Sequence, residues 1–288
     1  MKNVKNTAAS VKARLQNVAA RRGEEFNLLL IRYGIERLLY RLSRSKYAER
    51  FLLKGAMLFA VWDEKTPRHT RDLDLLGFVP AEKQEMLRIF QEIVVTPVVD
   101  DGLVFDPASV ESADIRKDSE YGGIRVNLMA MLGTAEVPVQ IDVGAGDVVT
   151  PSPETITFPG LLDFPAPRIR SYPVYTVVAE KFEVMVARGE TNTRLKDFYD
   201  LWFLSRRFEF DKAMLRKAIQ ATFARRGTEL PQLPEPFTDA LANAPIKQTQ
   251  WNAFLRRNGL AEGAKPFAEI VRTLRDFIAP IFAYSEIS

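Results

Sequence analysis

Near the start of the chain, apolar side chains recur every three to four positions: Leu28, Ile31, Ile35, Leu38, Leu39 and Leu42. That spacing puts them on one face of a helix. Arg32, Arg37, Arg41 and Arg44 lie mostly elsewhere on the same helix, which reads as a packed helix with a solvated basic side. From Arg50 to about Thr150 the pattern changes to short apolar runs separated by turns. Arg50–Lys54 (RFLLK) and Arg71–Phe78 (RDLDLLGF) read as strands around a short helix, Ala56–Trp62. A helix follows, with Met86, Ile89, Phe90 and Ile93 on one side. Ile124–Met131 and Val137–Val143 then form a hairpin across Gly133 and Thr134.

Prolines at 151, 153, 159, 165, 167 and 173 come next. They deny a sheet its donors, so the stretch reads as a connector. From Tyr175 the helical period returns, over about 175–189, 193–206, 210–225, 247–257 and 265–279, with a breaker zone at Leu230–Pro236. The expected organisation is an N-terminal helical segment (1–49), a sheet-bearing core (50–150), a Pro-rich connector (151–174) and a C-terminal helical domain (175–288). The mixture of strands and helices places the fold in the α/β or α+β class.

Composition changes this picture mainly by what it removes. The 288 residues include no cysteine and one histidine, His69. Thiolate nucleophiles, Cys-based zinc sites and multi-histidine metal sites are therefore excluded. Catalysis must rest on carboxylates, lysines, arginines and hydroxyls, and a cation held by carboxylate oxygens alone would be hard, Mg²⁺ above all. No apolar run approaches the roughly 18–20 residues that span a bilayer, and the first twenty residues lack a secretory apolar stretch. A cytoplasmic monomer with no membrane association is the default expectation. The net charge of +3 is compatible with a polyanionic partner but does not require one.

Four places carry candidate chemistry. In a strand, Asp72 and Asp74 present both carboxylates on one face, with Leu73 and Leu75 turned into the core. Such a pair makes sense around a divalent cation, or simply as a polar outer face. Gly55 ends the preceding strand and opens a short helix whose N–H groups suit a phosphate. The loop after it supplies Lys65, Arg68, His69 and Arg71, cations suited to a triphosphate. Asp142 interrupts an apolar strand, and burying it alone would cost several kcal/mol. Its partner is either a shared cation or Arg125 on the preceding strand. Lastly, Lys181 sits among Val177, Val178, Phe182 and Val184, and Asp197 and Asp200 share a helix face with Thr193. Phe198, Leu201 and Trp202 form the buried side of that helix, and Asn192 or Thr193 is equally a plain N-cap.

The blocks LLKGAMLF, TRDLDLLG, VQIDVGAGD, VVAEKFEVMV and NTRLKDFYDLW, in that order, resemble the AbiEii/AbiGii family of nucleotidyltransferase toxins, MenT-type enzymes included. The likeness runs from about Asn27 to Leu204. It implies an α+β fold, with a DNA polymerase β-like nucleotidyltransferase core built on a mixed sheet and flanked by N-terminal helices and a C-terminal helical domain. By similarity Asp72, Asp74 and Asp142 are metal ligands for Mg²⁺, and Lys181 reaches the triphosphate. Asp197 or Asp200 belongs to the last motif, and Gly55, Thr70 and Arg71 fall at the nucleotide. Many such enzymes have Gly-Ser or Gly-Gly where this chain has Gly55-Ala56, so no hydroxyl grips phosphate there.

The implied reaction is transfer of NMP from an NTP to an RNA acceptor, the tRNA 3′ end, which blocks translation. A cognate antitoxin is implied as well. Arg32–Arg44 and Lys212–Arg226 are the expected basic surfaces for RNA. A phosphate on Thr70 would add about −2 charge two residues from Asp72. The alternatives are transfer to a protein hydroxyl or a small molecule such as an aminoglycoside, or a non-catalytic binding module.

Overall fold

The computed structural model describes residues 6–63, 70–115, 122–189, 194–231, 234–261 and 264–282. The chain divides into two compact units. The first is Met1–Gly146 with Glu154–Ser171, and the second is Asp147–Pro153 with Tyr172–Ser288.

The first unit holds a mixed seven-stranded sheet of order β3-β4-β5-β2-β1-β7-β6. Its strands are β1 (Phe51–Lys54), β2 (Asp72–Gly77), β3 (Leu103–Ile115), β4 (Gly123–Leu132), β5 (Ala135–Ala145), β6 (Glu154–Thr157) and β7 (Arg168–Ser171). Pairs β2/β5 and β1/β7 are parallel, and β1/β2, β3/β4, β4/β5 and β6/β7 are antiparallel.

Strict alternation on β5 buries Val137, Val139, Ile141 and Val143 on one face. Helix α2 (Phe26–Arg44) lies on that face, and α1 (Thr7–Arg22) packs on α2. Gly34 permits the approach, since a Cβ there would stand 2.8 Å from Val137 Cγ1. The short α3 is Phe59–Trp62, and α4 (Lys83–Val94) reaches the same face through Phe90, whose ring lies 5.8 Å from that of Phe51. Leu53, Leu75 and Val143 run in register beneath these helices. Each such side chain, fully buried, contributes about 1.5–3 kcal/mol. One side of these strands is thus consumed by the core, and their other side carries Asp72, Asp74 and Asp142 together with the buried Leu52 and Leu76.

Two expectations are corrected here. The Pro-rich stretch contributes strands β6 and β7 to the sheet, because its prolines flank Glu154–Thr157 and Arg168–Ser171 without interrupting either. Helix α2 presents less of a solvated basic side than its pattern suggests: Arg37 and Arg41 are buried and Arg32 is half-buried, while Arg44 is exposed. Arg41 grips Asp101 with two hydrogen bonds, 2.8 Å to Oδ2 and 3.1 Å to Oδ1. Arg37 Nη2 donates to the Pro165 carbonyl at 2.8 Å, and its Nε lies 3.6 Å from Asp101 Oδ2. Glu36 is buried beside them and accepts the Leu161 N–H at 2.7 Å. The segment around 158–167 meets α2 at Glu36 and Arg37, while Arg41 reaches Asp101 and the Leu103 carbonyl.

The second unit is helical: α5 (Val174–Arg188), α6 (Leu195–Arg207), α7 (Lys212–Arg226), α8 (Asp239–Asn243), α9 (Pro245–Arg257) and α10 (Phe267–Phe282). Helix α10 packs against α6, α7, α8 and α9. Aromatic side chains fill the centre: Phe182 stacks on Phe237 at 5.6 Å, and Phe198 meets Phe267 edge-on at 5.0 Å. On α6, Phe198, Leu201 and Leu204 are buried while Trp202 is half-buried.

Candidate functional site

The polar side of the sheet in the first unit carries one of two groups of candidate residues. Register places Lys54, Asp74, Asp142 and Arg125 in a single row across β1, β2, β5 and β4. Adjacent strands lie about 4.8 Å apart, so Asp74 and Asp142 are immediate neighbours on one face. Asp72, two residues earlier on β2, falls on the same face in register with Gln140. Like charges so placed repel, and a cation is what the arrangement calls for. Arg125 supplies one: its Nε and Nη2 each donate to an Asp142 carboxylate oxygen at 2.8 Å. The Asp142 hydrogen bonds hold this guanidinium above its ordinary pKa, and the charges of Asp142, Asp72 and Asp74 add to the effect.

Gly55 follows β1 with φ +71°, a conformation open to glycine at little cost. A Cβ there would overlap the carboxylate of Asp74. The missing side chain is therefore the recess into which Asp74 fits. Thr70 turns its hydroxyl to the Asp72 backbone, 3.2 Å from the carbonyl and 3.4 Å from the N–H, which braces the start of β2. Arg71 is exposed. Lys65, Arg68 and His69 lie outside the described residues, as do Asn192 and Thr193.

Among the described residues no group of three or more Asp, Glu, His or Cys is arranged to hold a metal ion. The donor chemistry nevertheless suits a hard cation at Asp72 and Asp74, two oxygen ligands on one strand face with a recess moulded to one of them. Asp142 fits as a third ligand only where Arg125 releases it.

The second group lies on α5 and α6. Lys181 Nζ donates to Asp197 Oδ1 at 3.2 Å and to Asp200 Oδ2 at 2.5 Å. Both aspartates are buried. Arg194, one turn before Asp197, sits 2.9 Å from its other oxygen. Burial by itself pushes the Asp197 carboxyl up, but the charges of Lys181, Arg194 and Lys196 outweigh it and leave the group below its usual range. Arg194 is a member of this group that its i, i+3 spacing to Asp197 makes visible in the sequence. Lys54 is a member of the acidic row that the sequence does not show, since its register with Asp74 depends on strand pairing.

A third cluster corrects the expected RNA-binding role of Arg226. This residue closes α7 and is enclosed by Asp147 at 3.2 Å, Glu180 at 3.3 Å and Glu183 at 2.7 Å. Burial would lower its pKa, and the three carboxylates raise it instead. It is an internal counter-charge and not a surface cation.

Residues 37–273 match the family model described as nucleotidyl transferase AbiEii toxin, type IV TA system. Among solved structures, JHP933 from Helicobacter pylori is 16% identical over 86% of this chain and 88% of its own, with a TM-score of 0.47. A second Helicobacter pylori structure, described as a candidate nucleotidyltransferase, gives 16% identity over 86% and 91% of the two chains, with a TM-score of 0.47. An antigenic nucleotidyltransferase-like protein from Paracoccidioides brasiliensis gives 13% identity over 66% and 88%, with a TM-score of 0.37. No curated protein matches.

Proposed function

The chain belongs to the AbiEii family of nucleotidyl transferase toxins of type IV toxin–antitoxin systems, and from that premise we propose that it transfers NMP from an NTP to the 3′ end of tRNA. The observation that supports nucleotidyl transfer is the acidic row, Asp72 and Asp74 on one face of β2 with Asp142 in register beside Asp74, and the tRNA acceptor rests on the family resemblance alone. An acceptor hydroxyl oxygen attacks the α-phosphorus of the NTP. The bond to the β-phosphate oxygen breaks, pyrophosphate leaves with that electron pair, and the hydroxyl proton is released. Negative charge grows on the phosphoryl oxygens in this step, so catalysis is chiefly positioning and charge neutralisation.

Asp72 and Asp74 would hold Mg²⁺, joined by Asp142 when Arg125 lets it go. When bound, the ion supplies charge stabilisation at the phosphates and a more acidic acceptor hydroxyl. Gly55 gives the Asp74 carboxylate its place, and Thr70 fixes the backbone at Asp72. Arg71 is assigned to the nucleotide phosphates. Lys181 is assigned to the triphosphate, positioned by Asp197 and Asp200. A cognate antitoxin is the expected partner, since the family is defined by two-component systems.

The test is purified protein with Mg²⁺, total tRNA and each α-labelled NTP in turn, beside Asp72→Ala. We expect label on tRNA, reduced on the order of 10²-fold or more in the variant. Label on protein or on an aminoglycoside, with none on RNA, would replace the acceptor. No label on any of these would leave a binding module.

A further inference from the structure

The acidic row holds more negative charge than its own basic residues offset. Asp72, Asp74 and Asp142 share the face with Lys54 and Arg125, three acidic side chains against two basic ones. Arg125 reaches Asp142 from the strand beyond, with one donor on each oxygen. That fork–fork geometry is the strongest pairing a carboxylate makes with a side chain. It also occupies both oxygens of the acid next to Asp74. A cation seated against Asp74 would find Asp142 within reach, but with one lone pair of each oxygen in use and a guanidinium's positive charge beside it.

We propose that Arg125 and a divalent cation are alternative partners of Asp142, so that Arg125 sets how tightly the cation is held at Asp72 and Asp74. The inference rests on the cation reading of those two aspartates. With Arg125 in place two carboxylates serve the ion and a guanidinium stands close by. With Arg125 displaced three carboxylates serve it and the nearby positive charge is gone. Both changes act in the same direction, because affinity for a hard cation grows with the number of charged oxygen ligands. Arg125 thus stabilises the acid-rich face in the metal-free protein and weakens it as a metal site. A triphosphate, itself a strong acceptor for guanidinium, would draw Arg125 off Asp142 and complete the site when substrate arrives.

The test is Mn²⁺ binding to the full chain without nucleotide, followed by calorimetry and by the Mn²⁺ electron paramagnetic resonance signal. Arg125→Gln should tighten binding roughly tenfold, the gain of one carboxylate ligand. Arg125→Lys, a point charge that cannot bridge both oxygens, should fall between wild type and Arg125→Gln, and it serves if the glutamine variant folds poorly. In Arg125→Gln/Asp142→Asn the gain should disappear, because the freed ligand is gone. An affinity in both Arg125 variants equal to or weaker than wild type overturns the proposal. Asp72→Ala separates the two levels. If it abolishes Mn²⁺ binding while Arg125→Gln changes nothing, the Arg125 idea alone fails. If binding survives Asp72→Ala, the cation reading fails and takes the proposal with it.

Discussion

Two arginine–aspartate pairs in the first unit have nearly the same geometry and opposite surroundings. Arg41 holds Asp101 at 2.8 and 3.1 Å, and Arg125 holds Asp142 at 2.8 Å through each oxygen. The first pair is sealed in, with side chains 7% and 1% exposed, whereas the second is open at 40% and 20%. Around Asp101 stand Arg37, Glu36 and the Tyr33 hydroxyl, which donates to the Asp101 carbonyl at 2.7 Å. Around Asp142 stand two more acids on the same face. The difference teaches that bond lengths do not assign a role. An enclosed pair must stay paired, because water cannot replace either partner. A half-open pair in an acid-rich row can exchange its cation for another.

Three substitutions press on this contrast. Arg41→Ala takes both close donors from the buried Asp101 and leaves Arg37 Nε, 3.6 Å away, as the nearest cation, so it should cost about 3 kcal/mol of unfolding free energy, measured by chemical denaturation at pH 7. A loss under about 1 kcal/mol would erase the distinction between the two pairs.

Glu36 sharpens the enclosed side. Burial pushes its carboxyl up to about 7, against the pull of the Leu161 N–H and of Arg37 and Arg32. The folded state therefore binds a proton that the unfolded chain releases near 4.5. Stability from this group should be full below the unfolded value, fall as pH rises toward 7, and level off above it. The span corresponds to roughly 3 kcal/mol. Glu36→Gln should remove that slope, and an unchanged pH–stability curve in the variant would show that Glu36 does not titrate in this window.

The smallest effect belongs to the open pair. Arg125→Gln should cost no more than about 1 kcal/mol, the usual range for exposed ion pairs. A loss as large as that of Arg41→Ala would mark Arg125 as structural.

The elements that were legible in the sequence are those whose pattern is local. Helix α5 was expected over 175–189 and spans Val174–Arg188, and the β4–β5 hairpin turns at Gly133 as read. The placement of Asp72 and Asp74 on one side of β2 follows from the two-residue period of a strand, which no tertiary contact alters. Strand β3 was not foreseen. It is an edge strand with Pro107 and a bulge between Asp106 and Glu111, so its alternation is broken and half its length exposed. Helix α2 was foreseen as a helix, but the fate of its arginines was not, because Arg37 and Arg41 are held inside by Asp101, a partner 60 residues beyond Arg41 that helical spacing cannot show.

The candidate site divides in the same way. Spacing along one strand or one helix selected the carboxylates and placed Asp197 and Asp200 together. Composition removed thiolate and multi-histidine sites and left carboxylate oxygens as the main metal donors. Tertiary structure decided the partners: Arg125 for Asp142, Gly55 beneath Asp74, Lys181 between Asp197 and Asp200, and three acids around Arg226. The physical reason is range. A side chain's direction is set by its own backbone dihedrals within a few residues, whereas its charge is answered by whichever group the fold brings within about 3 Å, from anywhere in the chain.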